Sequence, residues 1–307
     1  MKKSMFYTLS AISLTIVIIV TYAFYTNYVL SQKMETTRIR IETVNFFIKD
    51  VEKDLDKGAF IAGFRTLLSF NEQITGNGTY LDNINSRFKE AFLNGTINNV
   101  PVSLMSGSTF TDWADKIEAE ADKIDINFDI QVNDIKLFQD NPWFVNVGLN
   151  LTLNIWDKKN TSQWKQQRYI VTKISIIGFE DPLYVVNSNG RVTNQIIKSN
   201  ITAFVTNKNV DKLLEHMNSS YYIAHNDSPD YLMRLKGNLS NSSAGIESLV
   251  NLEEFQDQGI ALKDRSIVDF IYFGNQVTAN LRVNNTPSWF KIDTGHNDTY
   301  QIANVTI

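Results

Sequence analysis

The chain has 307 residues, long enough for one anchor plus one or two domains that each bury a core. With 29 Lys+Arg against 33 Asp+Glu and a net charge of -4, it has no basic footprint for nucleic acid. It contains no cysteine, which excludes a disulfide framework, thiolate metal ligands and a cysteine nucleophile.

Lys2 and Lys3 precede an uncharged run from Ser4 to Gln32, 29 residues in all. At ~1.5 Å rise per residue this run exceeds the ~30 Å hydrocarbon core of a bilayer. A signal-peptide core is only about 7–15 residues and ends in a small-residue cleavage site. The best such site here, Thr21-Tyr22-Ala23, is followed by more apolar and aromatic residues. Residues 1–32 are therefore expected to be an uncleaved transmembrane anchor. The two lysines place its N-terminus on the cytoplasmic side and the bulk of the chain outside the cell. Tyr22, Tyr25 and Tyr28 fit an aromatic belt where the helix leaves the membrane.

The helical pattern continues without a proline through residues 33–75. Ile41, Val44, Ile48, Val51, Leu55 and Ala62 recur at the spacing of one apolar face, while Arg38, Arg40, Glu42, Lys49, Asp50, Glu52 and Lys53 read as a solvated face. Gly58 and Gly63 each cost this helix about 1 kcal/mol relative to alanine, which points to close packing against a sheet. Gly76 and Gly78 stop it. A short helix over 80–93 and a second over 109–124 are expected next. The second is capped by Thr109 and striped by Phe110, Trp113, Ile117, Ala121 and Ile124.

Three long strands follow. Residues 124–132 alternate strictly, and the next strand points Val145, Val147, Leu149, Leu151, Leu153 and Ile155 inward with Asn146, Asn150 and Asn154 outward. Asp157 to Asn160 forms a hairpin turn, and residues 164–179 return as the third strand of an antiparallel meander. Beyond a turn-rich stretch at 187–191 the pattern is mixed over 192–207 and helical over 209–217. It suggests strands at 231–238, 266–273, 276–283, 289–293 and 300–307. The expected fold class is α+β: a long transmembrane and amphipathic helix packed on an antiparallel β-meander head at 76–190, then a second β-rich part at 191–307.

The N-x-Ser/Thr acceptor pattern occurs twelve times, all after residue 76. With 33 Asn and 46 Ser+Thr in 307 residues, chance accounts for about five. The excess points to a glycosylated surface, with Asn77, Asn94, Asn150, Asn160, Asn200, Asn218, Asn238, Asn241, Asn284, Asn297 and Asn304 as candidates. A twelfth sequon, Asn226, is disfavoured by the nearby Pro229.

His225 in HNDSPD and His296 in DTGHND each sit near aspartates that can ligate a divalent cation, yet a solvated turn accounts for both stretches. Asp293-Thr294-Gly295 is read as a turn too. Asp269 lies in an apolar run, with Arg265 or Lys263 as its expected partner. The sequence contains neither a G-x-S-x-G elbow nor an H-E-x-x-H motif. No catalytic, cofactor or metal residue is assigned, and a non-enzymatic role is expected.

A basic N-terminus, an apolar stem continuing into an amphipathic helix, and a β-rich, sequon-dense head together resemble archaeal type IV pilin-like surface proteins. GFEDPLYVVN (178–187), GIESLVNLEEF (245–255) and KDRSIVDFIYF (263–273) are similar to membrane-anchored proteins of that kind. The resemblance implies leader cleavage at Lys3-Ser4, with Ser4 where glycine is typical, and a structural or adhesive role as a minor filament component. The implied partners are the membrane, other pilin-like subunits and cell-surface components. An anchored ligand-binding domain is the alternative, and an extracytoplasmic hydrolase a third reading.

Overall fold

The computed structural model describes residues 2–159 and 161–306. Helix α1 runs unbroken from Lys2 to Asn77. Its first part is apolar and long enough to cross a membrane, and the side chains at 5–28 are all exposed. The threonines inside this segment bond back to the helix. Thr15 donates to the Ala11 carbonyl at 2.8 Å, Thr26 to Tyr22 at 3.0 Å, and Thr21 bonds the Val17 carbonyl. Such back-bonding pairs these threonine hydroxyls within the helix, where lipid could not. The helix stops where Gly78 takes a left-handed φ of 65° and its N–H closes on the Ile74 carbonyl.

After α1 come α2 (Ile84–Asn94), the short strands β1 (Thr96–Ile97) and β2 (Val100–Pro101), and α3 (Phe110–Lys123). Thr109 caps α3 as expected. Its hydroxyl accepts from the Asp112 N–H at 2.9 Å while the Asp112 carboxylate accepts from the Thr109 N–H at 2.9 Å, a reciprocal capping box. Ile124 leaves the predicted stripe and is 39% exposed, because α3 ends at Lys123 and Asp125 turns the chain with a φ of 56°.

The meander is formed by β3 (Ile126–Asn141), β4 (Phe144–Asp157) and β5 (Gln163–Ser175), in the order β3-β4-β5. All six inward residues predicted on β4 are fully buried. Asn146 is a correction: it is 1% exposed rather than solvent-facing, because its amide donates to Asp140 at 2.6 Å on the neighbouring strand.

The chain forms two compact units, and α1, α3 and the three strands contribute residues to both. The first unit comprises Met1–Asp54, Asp115–Gln131 and Thr152–Gln167. Its core joins Val44, Ile48 and Val51 of α1 to Ala121, Ile126, Phe128, Leu153 and Ile155. Arg40 does not belong to a solvated face. Its guanidinium grips the buried Asp157 carboxylate, with Nε at 3.0 Å, and donates to the carbonyls of Ile124 and Asp125, each at 3.0 Å.

The second unit takes Leu55–Ala114, Val132–Leu151 and Arg168–Ile307. Here both helix glycines mark close approaches. A Cβ at Gly63 would lie 2.8 Å from Ile174 and 3.3 Å from Val147 on the sheet, and one at Gly58 would enter the Trp113 ring of α3 at 2.7 Å. The last 130 residues hold α4 (Pro182–Asn187), α5 (Asp211–Asn218), β6 (Tyr222–Ala224), α6 (Tyr231–Leu235), β7 (Ile246–Ser248), α7 (Leu252–Asp257), α8 (Asp269–Phe273), β8 (Asn280–Arg282) and β9 (Lys291–Asp293). The expected β-rich second part is therefore corrected to short helices and three-residue strands, paired antiparallel as β6–β7 and β8–β9.

Residues 231–235 and 269–273 are helical within stretches where strands were expected, and Val268 alone makes a bridge, to Leu249. Asp230 caps α6 by accepting from the Met233 N–H at 2.9 Å, and Gly237 ends it at a φ of 68°. In α8 every residue is buried, so its apolar run reflects enclosure on all sides rather than a sheet face. Residues 300–306 turn rather than extend, with only Thr306 bridging to Val283. One core holds this region together, gathering Leu183, Tyr184, Leu213, Leu249, Phe255, Ile267, Phe273, Phe290, Ile292 and Ile302 among others.

Candidate functional site

Short segments far apart in sequence bring His225, Glu247 and His296 together within the second unit. β6 and β7 pair with Ile223 opposite Glu247 and Ala224 opposite Ile246, so His225 emerges from β6 beside Glu247. The turn after His225 is tight. Its N–H bonds the Gly245 carbonyl at 3.0 Å, and any side chain at Gly245 would collide with the His225 and Ser228 carbonyls. His296 arrives on a 3-10 turn over Thr294–His296 that follows β9. Asp293 caps that turn, accepting from the Gly295 N–H at 3.0 Å, which confirms DTG as a turn. The same carboxylate then meets His296 three residues on.

The two histidines approach Glu247 through different nitrogens. His225 Nδ1 and His296 Nε2 each lie 3.1 Å from Glu247 Oε2. Their rings are tilted by 45° with centroids 4.9 Å apart. Each remote nitrogen is held in turn: His296 Nδ1 faces Asp293 Oδ1 at 2.8 Å, and His225 Nε2 faces the Thr299 hydroxyl at 3.2 Å. Ser266 steadies Asp293 at 2.9 Å, and Ser228 donates to Glu247 Oε2 at 2.5 Å. Glu247 is fully buried, His296 nearly so, and the His225 side chain is 20% exposed. Among the described residues His225 Nδ1 and the second Glu247 oxygen make no well-aligned hydrogen bond, and the buried Tyr300 hydroxyl faces Glu247.

Charge in this cluster is strongly coupled. Burial pushes Glu247 towards neutrality, but the close imidazoles of His225 and His296 outweigh it and bring its carboxyl down to about 2. For His296, burial disfavours the cation, yet hydrogen bonds to Asp293 and Glu247 raise it to about 10. The close approach of Glu247 also raises His225. The arrangement can therefore bind charge, either as protons shared between imidazoles and carboxylates or as a cation taken by the three converging ligand atoms.

Next to it lies a buried network that anchors the fold. Arg234 is completely enclosed and donates to Asp181 at 2.5 Å and to Asp269 at 2.9 Å, with further bonds to the Ile246 and Pro229 carbonyls. Tyr222 donates to Asp181 at 2.8 Å, and Ser248 gives both its N–H and its hydroxyl to Asp269. This corrects the expected partner of Asp269, because Arg265 and Lys263 bond the carbonyls of Gly274 and Tyr272 instead. The third histidine, His216, is fully buried among Phe204 and Tyr300, and burial lowers it to about 4.

Of the sequon asparagines, Asn77, Asn94, Asn200, Asn218, Asn238, Asn241, Asn284 and Asn304 are exposed, while Asn150 and Asn297 are half-buried. Asn160 lies outside the described residues. Lys3 and Ser4 fall within α1, whose first turns carry the expected leader position. Sequence reasoning had kept His225 and His296 apart, and it missed Glu247 altogether. The available signal was the GIESLV stretch, where a glutamate stands in a buried apolar run. No family model, curated protein or solved structure matches the chain.

Proposed function

We propose that the chain is a single-pass membrane protein of the cell surface, with a cytoplasmic N-terminus and a glycosylated extracellular head. In this reading its pilin-like architecture serves a structural or adhesive role as a minor filament component. The observation that carries the proposal is residues 5–28 of α1, a stretch with uncharged, exposed side chains whose threonine hydroxyls bond back to the helix. Such a segment, with its threonine hydroxyls paired internally, suits lipid or a bundle of like helices better than water. Lys2 and Lys3 support the orientation, and the exposed sequons support glycans on the outer side.

A second reading, an anchored binding domain that does not assemble, is favoured by a cleft of about 570 Å³ in the first unit. Trp156 stands there beside Asp129, Asn154, Thr161, Ser162 and Gln163, an aromatic face ringed by polar groups that suits a hydroxyl-rich ligand.

The test uses the full chain, tagged at its C-terminus and expressed in its membrane. Resistance to carbonate extraction, external protease access to the tag and a glycan mass increment are expected. The mature chain should start at Ser4 or Met5. Release by carbonate overturns the anchor, whereas an intact leader removes the pilin-like part and leaves the anchored binding domain.

A further inference from the structure

We infer that His225, Glu247 and His296 form a binding site for one divalent transition-metal ion of the zinc type, built into the second unit. One nitrogen of each imidazole and one carboxylate oxygen all lie within 4.8 Å of one another. A tetrahedral ion with bonds of ~2.0–2.1 Å holds its ligand atoms about 3.3 Å apart. The two His–Glu separations of 3.1 Å already match that spacing, so loading the site requires only that the imidazoles close towards each other.

The surroundings point to a metal rather than to a simple ion-pair cluster. Ligating histidines typically have their far nitrogen held by an oxygen partner, which fixes ring orientation and tautomer. Both histidines here have one, Asp293 for His296 and Thr299 for His225, and Asp293 is itself tethered by Ser266. An ion also answers for His225 Nδ1, a buried ligand nitrogen that makes no well-aligned hydrogen bond although Glu247 Oε2 lies 3.1 Å away. Buried polar atoms are seldom left without a partner. Two imidazoles and one carboxylate suit zinc, cobalt or nickel. Calcium and magnesium take mostly oxygen ligands and are poorly served. Three protein ligands leave a fourth position, and the partly exposed His225 edge gives solvent or a small anion a route to it.

The ion ties the β6–β7 strand pair to the turn after β9. Metal loading is therefore expected to raise the thermal midpoint of the full chain.

The experiment uses full-length protein purified in detergent, stripped with a chelator and titrated with zinc chloride alone. Metal content is read by mass spectrometry, and cobalt chloride serves as a spectroscopic probe. One zinc per chain and the intense visible bands of four-coordinate cobalt are expected. His225→Gln, on the partly exposed edge, should keep the circular dichroism of the parent and lose stoichiometric binding. Asp293→Asn should weaken zinc by about 10–100-fold while the ligands stay in place. Absence of stoichiometric zinc in the parent overturns the site, as does undiminished binding by a folded His225→Gln. A six-coordinate cobalt spectrum overturns the assignment of tetrahedral, zinc-type geometry. Because the readout is metal content, its failure leaves the membrane-anchor reading untouched.

Discussion

Replacing Arg234 by methionine keeps the volume of the side chain and removes its charge from the centre of the second unit. The guanidinium serves two carboxylates and two main-chain carbonyls with no solvent contact. Its loss strands Asp181 and Asp269 in a buried space, and breaking a buried pair from one side costs about 3–5 kcal/mol. Neutral donors moderate the damage. Asp181 keeps the Tyr222 hydroxyl and the Leu183 N–H, and Asp269 keeps the Ser248 N–H and hydroxyl and the Phe270 N–H. A loss of about 3 kcal/mol is therefore expected, at the lower end of that range. Burial has already raised Asp269 to about 6, so it is the carboxylate that takes up a proton when Arg234 is gone. Arg234→Met/Asp269→Asn should then be more stable than the sum of the two single changes by about 1–2 kcal/mol. Urea denaturation of the detergent-solubilised full chain gives the totals, and hydrogen exchange over residues 228–250 locates the effect. A loss below about 1 kcal/mol, or strict additivity, would refute the view that this charge is held in place by its two carboxylates.

Three further outcomes follow from particular contacts. His216 is held neutral by burial, so its folded value of about 4 lies below the ordinary 6.5. Its contribution is complete above 6.5 and declines as the pH falls towards 4, by roughly 3 kcal/mol in all. His216→Phe should flatten that stretch of the stability profile, and an unchanged acid limb would count against the assignment. Arg40→Ala should destabilise the first unit by about 2–3 kcal/mol through its charged hydrogen bonds to a buried carboxylate. Burial opposes ionisation of Asp157, but Thr161 and Arg40 hold it down to about 2, so its stabilisation persists above 3.8 and fades as the pH falls through 2. In the variant that acid loss should be smaller and be complete at a higher pH, which acid titration of exchange rates over 152–167 can follow. Finally, Gly58→Ala should destabilise by about 1–2 kcal/mol, since the Trp113 ring must move, whereas Gly76→Ala meets nothing within 4 Å and should be neutral or stabilising. Equal melting shifts for the two would contradict the close packing described at Gly58.

The first half of the chain was legible in the sequence because its patterns are long. Seventy-odd residues without a proline, a strict alternation on β4 and a Thr-x-x-Asp cap at 109–112 each repeat one local rule many times over. The second half failed where patterns were short. SIVDFIYF reads equally as a strand or as a fully enclosed helical turn, and only the tertiary setting decides between them. YLMRLKGN did carry a usable sign, the Asp230 cap and the Gly237 stop, which its apolar alternation masked. The candidate site was hidden for another reason. His225, Glu247 and His296 stand on three separate turns, so no spacing in the sequence announces them. Arg40 shows the same limit, because nothing local distinguishes a solvated arginine from one whose acceptors lie over 80 residues away.

Arg40 also clocks α1. A planar guanidinium held by Asp157 and two carbonyls allows the helix little rotation about its own axis within the first unit. Each residue inserted between Gln32 and Arg40 would turn the Tyr22, Tyr25 and Tyr28 stripe by about 100° relative to that grip, and seven would nearly restore it. Lipid surrounds a helix evenly and is indifferent to such a turn. A neighbouring helix is not. Co-purification with a neighbouring subunit that is lost with one inserted alanine and recovered with seven would therefore mark a stem that packs against protein, and no change a stem that merely dissolves in the bilayer.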